Sequence, residues 1–239
     1  MNIAIIGYGK MGKLLESISL QRGHNVVSII DTDNTNDFHS VRFKSADVAL
    51  EFTTPQTAVD NIRKAWEAEV KVVCGTTGWT SELPKLITEL GNNGKSLFWA
   101  SNFSLGVNLF WELNRQIAEL LNRFPQYNVS IEEIHHIHKK DAPSGTAVTL
   151  AETICSATDA KNGWTLLPDK QKDKIEIAAI RQGNVFGIHT TKYESKEDII
   201  TFTHEAKSRE GFALGAVLAA EFVCDKKGYF TMNDLLKIS

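Results

Sequence analysis

Cysteine is scarce, with only Cys74, Cys155 and Cys224 in 239 residues. They lie far apart, are odd in number and form no CxxC pair, which argues against a disulfide framework and fits a reducing compartment. Long hydrophobic runs are missing too, so no stretch is long enough to span a bilayer. Neither sign of charge dominates: 26 basic side chains face 29 acidic ones. A near-neutral chain has no global attraction to nucleic acid or to an anionic membrane. The opening MNIAIIGYG runs straight into a strand-like pattern, so no signal peptide is expected. Internal repeats and low-complexity segments are also lacking. What remains is a cytoplasmic protein of one large domain or two modest ones.

The first hundred residues alternate β-rich runs with helical spacing. Strands are expected at Asn2–Ile6, Asn25–Ile30, Asp47–Glu51, Val70–Cys74 and Ser96–Ala100. One intervening helix carries Ala58, Ile62, Ala65 and Trp66 on a face, with Thr54 as N-cap and Pro55 at its first position. Repeated strand–helix–strand units predict a parallel sheet covered by helices on both faces. Between Asp31 and Asp47 there is little helical signal, and a short loop is expected. From Gly106 the pattern changes. Val107, Phe110, Leu113, Ile117 and Leu120 mark a long amphipathic helix. A strand at Asn128–Ile134 follows, then a helix through Val148, Leu150 and Ile154. Three β-rich runs, Lys174–Arg181, Val185–Tyr193 and Asp198–Glu205, read as an antiparallel meander, the first two flanking a QGN turn. GFALGAVLAAEFVC reads as a small-residue helix returning to the first domain. The expected division is residues 1–104, 105–208, and a returning segment 209–239.

The first strand leads directly into GYGKMG, a G-x-G-x-x-G pattern at Gly7, Gly9 and Gly12. A tight turn, a residue without a side chain, and a helix start with free N–H groups are what a pyrophosphate requires. The pattern is weak alone, but here it follows a strand and opens a helix. The second strand ends at Asp31, whose carboxylate suits an adenosine ribose and would repel a 2′-phosphate. No basic residue follows it directly, which favours NADH over NADPH, although Arg42 or Lys44 could fold back to the site. Two more loops, GTTGW and ASNFS, fall at strand C-terminal ends, where an open α/β sheet places its ligands. Cys74 reads as a buried strand cysteine and not as a nucleophile, since no base is adjacent in sequence.

The segment EEIHHIHKKDAPSGTA gathers three of the seven histidines and two lysines. His135, His136 and His138 are too crowded for three ligands of one tetrahedral ion. On a strand His136 would share a face with His138 and not with His135. Lys139 and Lys140 would repel a cation, so no metal is expected. Without interleaved aromatics, nucleic acid is not expected either. An anion explains more: Pro143 would enter the first turn of a helix, and the N–H groups of Ser144, Gly145 and Thr146 would point outward unpaired. A carboxylate fits there as well as a phosphate, and histidine beside it can give a proton near neutral pH.

The same segment resembles the signature of the 4-hydroxy-tetrahydrodipicolinate reductase (dihydrodipicolinate reductase) family, Glu-x-His-His-x-x-Lys-x-Asp-Ala-Pro-Ser-Gly-Thr-Ala, matched from Glu133 to Ala147. EFTTP, GTTGW, ASNFSLGVN and FTMNDLL resemble further family segments, in order along nearly the whole chain. The resemblance implies an α/β fold: a Rossmann-like dinucleotide-binding domain and a second α+β domain with a mixed open sheet, through which a homotetramer assembles. It implies NAD(P)H-dependent reduction of a small cyclic dicarboxylate, with His135 as proton donor and Lys139 assisting. His136, Gly145 and Thr146 would hold a substrate carboxylate. The cofactor would lie on Gly7, Tyr8, Gly9, Lys10, Met11, Gly12, Asp31, Gly75, Thr76, Thr77, Ala100, Ser101, Asn102 and Phe103. Many members carry Arg after the ribose-binding acid; Thr32 stands there in this chain, which again points to NADH, with NADPH the alternative. Two other readings are another two-domain NAD-dependent oxidoreductase of amino-acid metabolism and a non-catalytic NADH-sensing protein. A semialdehyde dehydrogenase would need a nucleophilic cysteine, for which a mid-helix Cys155 is poorly suited. No DNA-binding segment supports a sensor.

Overall fold

The computed structural model describes residues 1–91 and 94–238. The chain divides into two compact units: Met1–Ser104 together with the segment from Glu210 onward, and Leu105–Arg209. The first unit opens with β1 (Asn2–Ile6), α1 (Lys10–Gln21), β2 (Asn25–Ile30), α2 (Val41–Lys44) and β3 (Val48–Glu51). It continues with α3 (Pro55–Glu67), β4 (Lys71–Cys74), α4 (Leu83–Leu90) and β5 (Ser96–Trp99). Thr54 is extended at the N-cap of α3 and Pro55 takes the first helical position, although the Thr54 side chain makes no capping bond. The link from Asp31 to Asp47, expected as a loop, contains a 3-10 turn at Thr35–His39 followed by the single turn of α2. Two local causes fix it. Ser40 Oγ accepts the Phe43 N–H at 3.1 Å, and Phe38 and Phe43 are buried edge to face, with centroids 5.0 Å apart. Burying the two rings outweighs the weak helical propensity of so short a segment.

The second unit contains α5 (Leu105–Leu121), β6 (Asn128–His135), α6 (Gly145–Cys155), β7 (Trp164–Leu166), β8 (Ile175–Arg181), β9 (Ile188–Glu194) and β10 (Ile199–Glu205). Its sheet has the order β10-β9-β6-β8-β7 and is mixed: β6, β8 and β7 run parallel, while β9 is antiparallel to both β6 and β10. The meander expectation is therefore wrong for β8 and β9, which sit on opposite sides of β6. The QGN segment does make a turn, with Val185 N–H donating to Gln182 O at 3.5 Å, but that turn docks on the end of β6 and does not join two paired strands. Gln182 N–H donates to His135 O at 2.8 Å, and His136 N–H donates to Val185 O at 2.8 Å. Local turn chemistry suggests a hairpin, but β6, which pairs on both edges, takes the central place. Its inward residues are Val129, Ile131, Glu133 and His135. The core beneath joins Phe110, Leu150, Ile154, Ile175, Ile177 and Tyr193, each large apolar side chain contributing roughly 2 kcal/mol by burial. On the other face Ile134, half-buried, lies in register between Ile180 and Ile188, and Ile180 is 37% exposed there.

The chain then returns to the first unit as α7 (Glu210–Val223), β11 (Gly228–Phe230) and α8 (Met232–Leu236). Small residues let α7 lie close: a Cβ on Gly215 would stand 1.7 Å from Phe103 O. Arg22 and His24 each reach Glu221 at 2.7 Å, tying the end of α1 to α7. β11 adds a parallel strand beside β5, and a capping box of Thr231 and Asp234 starts α8. The complete sheet is parallel, β11-β5-β4-β3-β1-β2. Its strand order reverses about β1 and β3, the crevice where a doubly wound sheet binds ligands. Among the described residues, no helix is long and apolar enough to cross a membrane.

Candidate active site

At the C-terminal end of β1 the three glycines meet three different physical demands. Gly7 turns the chain at φ +92°, and a Cβ on it would lie 2.4 Å from Phe52 O. Gly12 lets α1 pack on the turn, since a Cβ there would come within 2.2 Å of Gly7 O. At Gly9 a Cβ would meet nothing within 4 Å, so its lack of a side chain leaves room for a ligand and not for the fold. Gly9 is also the N-cap of α1 and offers no side-chain cap. The first N–H groups of the helix therefore remain for an anion. A dinucleotide pyrophosphate fits this cradle.

Two cavities open along the same crevice. One, of about 330 Å³, is lined by Gly7, Tyr8, Gly9, Asp31, Thr32 and Thr35 among others; the second, of about 270 Å³, by Met11, Gly75, Thr76 and Thr77. Phe52 and Thr53 line both, so the two adjoin across the end of β3. A larger cavity near Trp66, Lys71 and Lys95 lies at the strands' N-terminal ends, away from the glycine-rich turn. Asp31 Oδ1 accepts the Thr32 N–H at 2.9 Å, leaving Oδ2 for a ligand hydroxyl. No lysine or arginine lines the cavity beside Asp31, and Arg42 and Lys44, in α2, are not among its walls. Lys10 opens α1 as an exposed residue outside both cavities.

Ala100, Ser101, Asn102 and Phe103 do not line either cavity. Phe103 instead backs Phe52, with ring centroids 5.7 Å apart. The contribution of EFTTP at the end of β3 was visible to sequence reasoning only as a family segment. The crevice rule, applied to β3 as it was to β4 and β5, would have found it. Below the floor, Glu51 is wholly buried and accepts from Asn61 Nδ2 at 3.3 Å and Cys74 Sγ at 3.1 Å, as well as from Thr53 Oγ1. Burial first, then Glu51, pushes the Cys74 thiol well above its ordinary range, which leaves it inert as a nucleophile.

In the second unit the histidine segment leaves the strand at once: β6 ends at His135, and His136–His138 form a turn. His136 and His138 therefore do not share a strand face. α6 also starts later than expected. Pro143 stays outside it, Ser144 is the N-cap, and Ser144 Oγ accepts the Ala147 N–H at 3.2 Å. The Ser144 N–H is not free, because it donates to Glu133 Oε1 at 3.0 Å. The Gly145 and Thr146 N–H groups have no partner among the described residues, and a Cβ on Gly145 would meet nothing within 4 Å. These two donors are open to an anion. Trp111 Nε1 steadies the turn by donating to Thr146 O at 3.2 Å.

His135 is buried beside the wholly buried Glu133; its Nδ1 lies 3.2 Å from Glu133 Oε2, within ion-pair range though off the line of a good hydrogen bond. Arg181 of β8 reaches Glu133 Oε1 at 3.0 Å, and His189 of β9 stands with Nε2 3.7 Å from Oε2 and 3.2 Å from Ser144 Oγ. Burial opposes a charge on Glu133, but the nearby His135 ring, the Ser144 N–H and the Arg181 guanidinium outweigh it and lower the carboxyl to about 2. His189 is lowered to about 4, chiefly by burial and then by His135, so it stays neutral. His136 is lowered by desolvation and by His138, Arg209 and other nearby cations. Lys139 is paired with Asp141 at 2.9 Å. Glu133, His135 and His189 each place one potential ligand atom within 4.8 Å of the others. The Arg181 guanidinium on the same carboxylate already supplies the charge a cation would bring. Sequence reasoning missed Glu133, Arg181 and His189; an acid and a histidine at inward positions of an alternating strand were the available signal. Cys155 closes α6 and is not mid-helix as expected.

A glycine cradle on a parallel sheet in one unit, and buried histidines beside an open helix start in the other, define a two-domain nicotinamide-dependent oxidoreductase. Residues 1–103 match the family description "Dihydrodipicolinate reductase, N-terminus" and residues 106–236 its "C-terminus". A 4-hydroxy-tetrahydrodipicolinate reductase of Christiangramia forsetii is 47% identical over 236 residues, covering 99% of this chain and 98% of the relative. One from Archaeoglobus fulgidus is 35% identical, covering 99% of this chain and all of its own length. The chain belongs to the dihydrodipicolinate reductase family. A dipicolinate-bound dihydrodipicolinate reductase from Paenisporosarcina has the same fold, with TM-score 0.79 at 23% identity over 97% of both chains.

Proposed function

We propose that His135 and Lys139 carry the proton chemistry of a reaction whose class the family fixes. It is the NAD(P)H-dependent reduction of 4-hydroxy-tetrahydrodipicolinate to tetrahydrodipicolinate, with loss of water, in lysine and diaminopimelate biosynthesis. When bound, the dihydronicotinamide supplies the hydride. His135 gives the proton, and Lys139, released from Asp141, stabilises the negative charge that develops. One hydride and one proton enter and one water leaves, so the step balances. His136 and the Gly145 and Thr146 N–H groups hold a substrate carboxylate. Gly7, Tyr8, Gly9, Lys10, Met11 and Gly12 serve the pyrophosphate, Asp31 the ribose, and Gly75, Thr76 and Thr77 the nicotinamide side, with Ala100, Ser101, Asn102 and Phe103 supporting it. The observation that carries this reading is the open Gly145–Thr146 helix start, linked through Glu133 to the His135 ring.

Turnover is the test. Purified protein is expected to oxidise NADH only when freshly made 4-hydroxy-tetrahydrodipicolinate is added; NADH binding with no oxidation would leave an NADH-sensing role instead. Asp31 without a basic neighbour in the cavity supports NADH over NADPH. Titrations with both cofactors, with and without pyridine-2,6-dicarboxylate, are expected to show tighter NADH binding. A cytoplasmic homotetramer belongs to the same reading. The three cysteines are free, and the partly exposed sheet face around Ile134 and Ile180 suits contact with another copy. Sedimentation in solution gives the subunit number.

A further inference from the structure

We propose that Glu133 is the positioning residue of this site: its buried carboxylate decides which nitrogen of His135 carries the fixed hydrogen, and it also anchors the helix start that receives the substrate. The proposal rests on the reductase reading of the same site. Glu133 divides its two oxygens between two tasks. Oε1 accepts from Ser144 N–H and from Arg181, each at 3.0 Å, and so holds the N-cap in place. Oε2 faces His135 Nδ1 at 3.2 Å. A carboxylate lowered to about 2 is anionic at any working pH. An anion at that distance keeps the hydrogen on Nδ1, which leaves Nε2 as the atom that takes up and gives the reacting proton.

The opposite edge of the ring is kept clear. A Cβ on Gly187 would stand 3.0 Å from His135 Nε2 and 3.3 Å from its Cδ2. Glycine leaves that edge open, whereas any other residue would crowd the proton-carrying atom. The remaining groups around His135 do not compete for this role. His189, its ring 5.0 Å away, is neutral; His204 acts on His189 and is itself lowered by burial. Arg181 is engaged with Glu133 and Asp141 O, and Lys139 with Asp141. His136 faces the same region from the turn. Among these groups Glu133 is the one anion against the ring.

The full-length wild type, labelled with ¹⁵N-histidine, provides a test that does not depend on a variant folding. Long-range ¹H–¹⁵N spectra, with His135 assigned by its loss in His135→Gln, are expected to show the neutral ring as Nδ1–H. An Nε2–H tautomer overturns the proposal. In Glu133→Gln, kcat is expected to fall roughly 10- to 100-fold. The alkaline fall-off of kcat should move to lower pH by about one unit. Affinity for pyridine-2,6-dicarboxylate should change by less than about 3-fold, because the glutamine carbonyl still accepts from Ser144 N–H. Glu133→Asp, which keeps the charge, is expected to restore the pH profile even where the rate stays low. A merely structural Glu133 would lower the yield of folded enzyme and leave the tautomer and the profile unmoved, which also overturns the proposal. Should Glu133→Gln not fold, the wild-type tautomer and the Glu133→Asp profile decide. A wild type that shows Nδ1–H but never turns over substrate sinks the reductase reading and not this assignment.

Discussion

The two helix starts of this chain solve one problem in opposite ways. At α1 the N-cap is Gly9, no side chain caps the helix, and the cradle consists of backbone and empty space. At α6 the N-cap is Ser144, whose hydroxyl caps the helix and whose N–H is tied to a buried carboxylate, in a net with His135, Arg181 and His189. The difference suits the two proposed ligands. A pyrophosphate is bulky and needs only donors and room. A small acid that must also receive a proton needs charges held in fixed places. The first unit should therefore be sensitive to added bulk, and the second to lost charge.

The largest expected effect tests the second half of that statement. His135→Gln removes the proposed proton donor and keeps much of the ring's volume. It is expected to lower kcat by about 10²- to 10⁴-fold, with affinity for pyridine-2,6-dicarboxylate and for NADH almost unchanged. Steady-state rates combined with calorimetric binding separate the two quantities. Loss of binding with kcat intact would mean that His135 holds the substrate and that the proton comes from elsewhere.

Acid should reach the charge-built unit first. His189 is depressed from 6.5 to about 4. As pH falls below 6.5 the unfolded chain takes a proton that the folded chain refuses, so stability is lost between about pH 6.5 and 4. Glu133 is depressed from 4.5 to about 2, so its contribution is present above 4.5 and is lost as pH falls towards 2. The His189 window is worth on the order of 3 kcal/mol. In His189→Asn the fall in Tm between pH 7 and pH 4.5 is expected to shrink relative to wild type. An unchanged fall would place the acid sensitivity in other groups.

The same contrast explains what the sequence disclosed. Gly7, Gly9 and Gly12 announce a backbone cradle because glycine is itself the signal, and Asp31 follows at the end of the next strand. The parallel first sheet was legible because its strands and helices alternate along the chain, though the short β11 and α8 carried too little periodicity to see. In the second unit His135 and Lys139 were visible as a local cluster. The groups that complete the net around Glu133 were not: Arg181 and His189 come from strands on either side of β6, and only the pairing that local turn reasoning got wrong brings them together. A site made of backbone can be read from neighbours in sequence; one made of charges on adjacent strands requires the topology first.

Added bulk in the first unit should act differently at Gly9 and Gly12, three residues apart. A methyl on Gly12 would press to within 2.2 Å of Gly7 O, so Gly12→Ala is expected to cost about 1–3 kcal/mol of stability and to weaken NADH binding. A methyl on Gly9 meets nothing within 4 Å among the described residues. Gly9→Ala should leave Tm unchanged and still raise the Kd for NADH several-fold, by standing where the pyrophosphate approaches. Equal effects on Tm at both positions would remove the distinction between a glycine kept for packing and one kept for a ligand.

The smallest effect probes whether the α6 start holds its ligand only through backbone, as α1 does. Thr146→Val keeps the N–H and the shape but deletes a hydroxyl. If that hydroxyl also donates to the substrate carboxylate, the loss is about 1 kcal/mol, seen as a KM raised several-fold with kcat kept. That pattern is the mark of an interaction made equally in ground and transition states. A KM identical to wild type would show that the Gly145 and Thr146 N–H groups suffice. The two helix starts would then differ in how they are anchored and not in how they grip an anion.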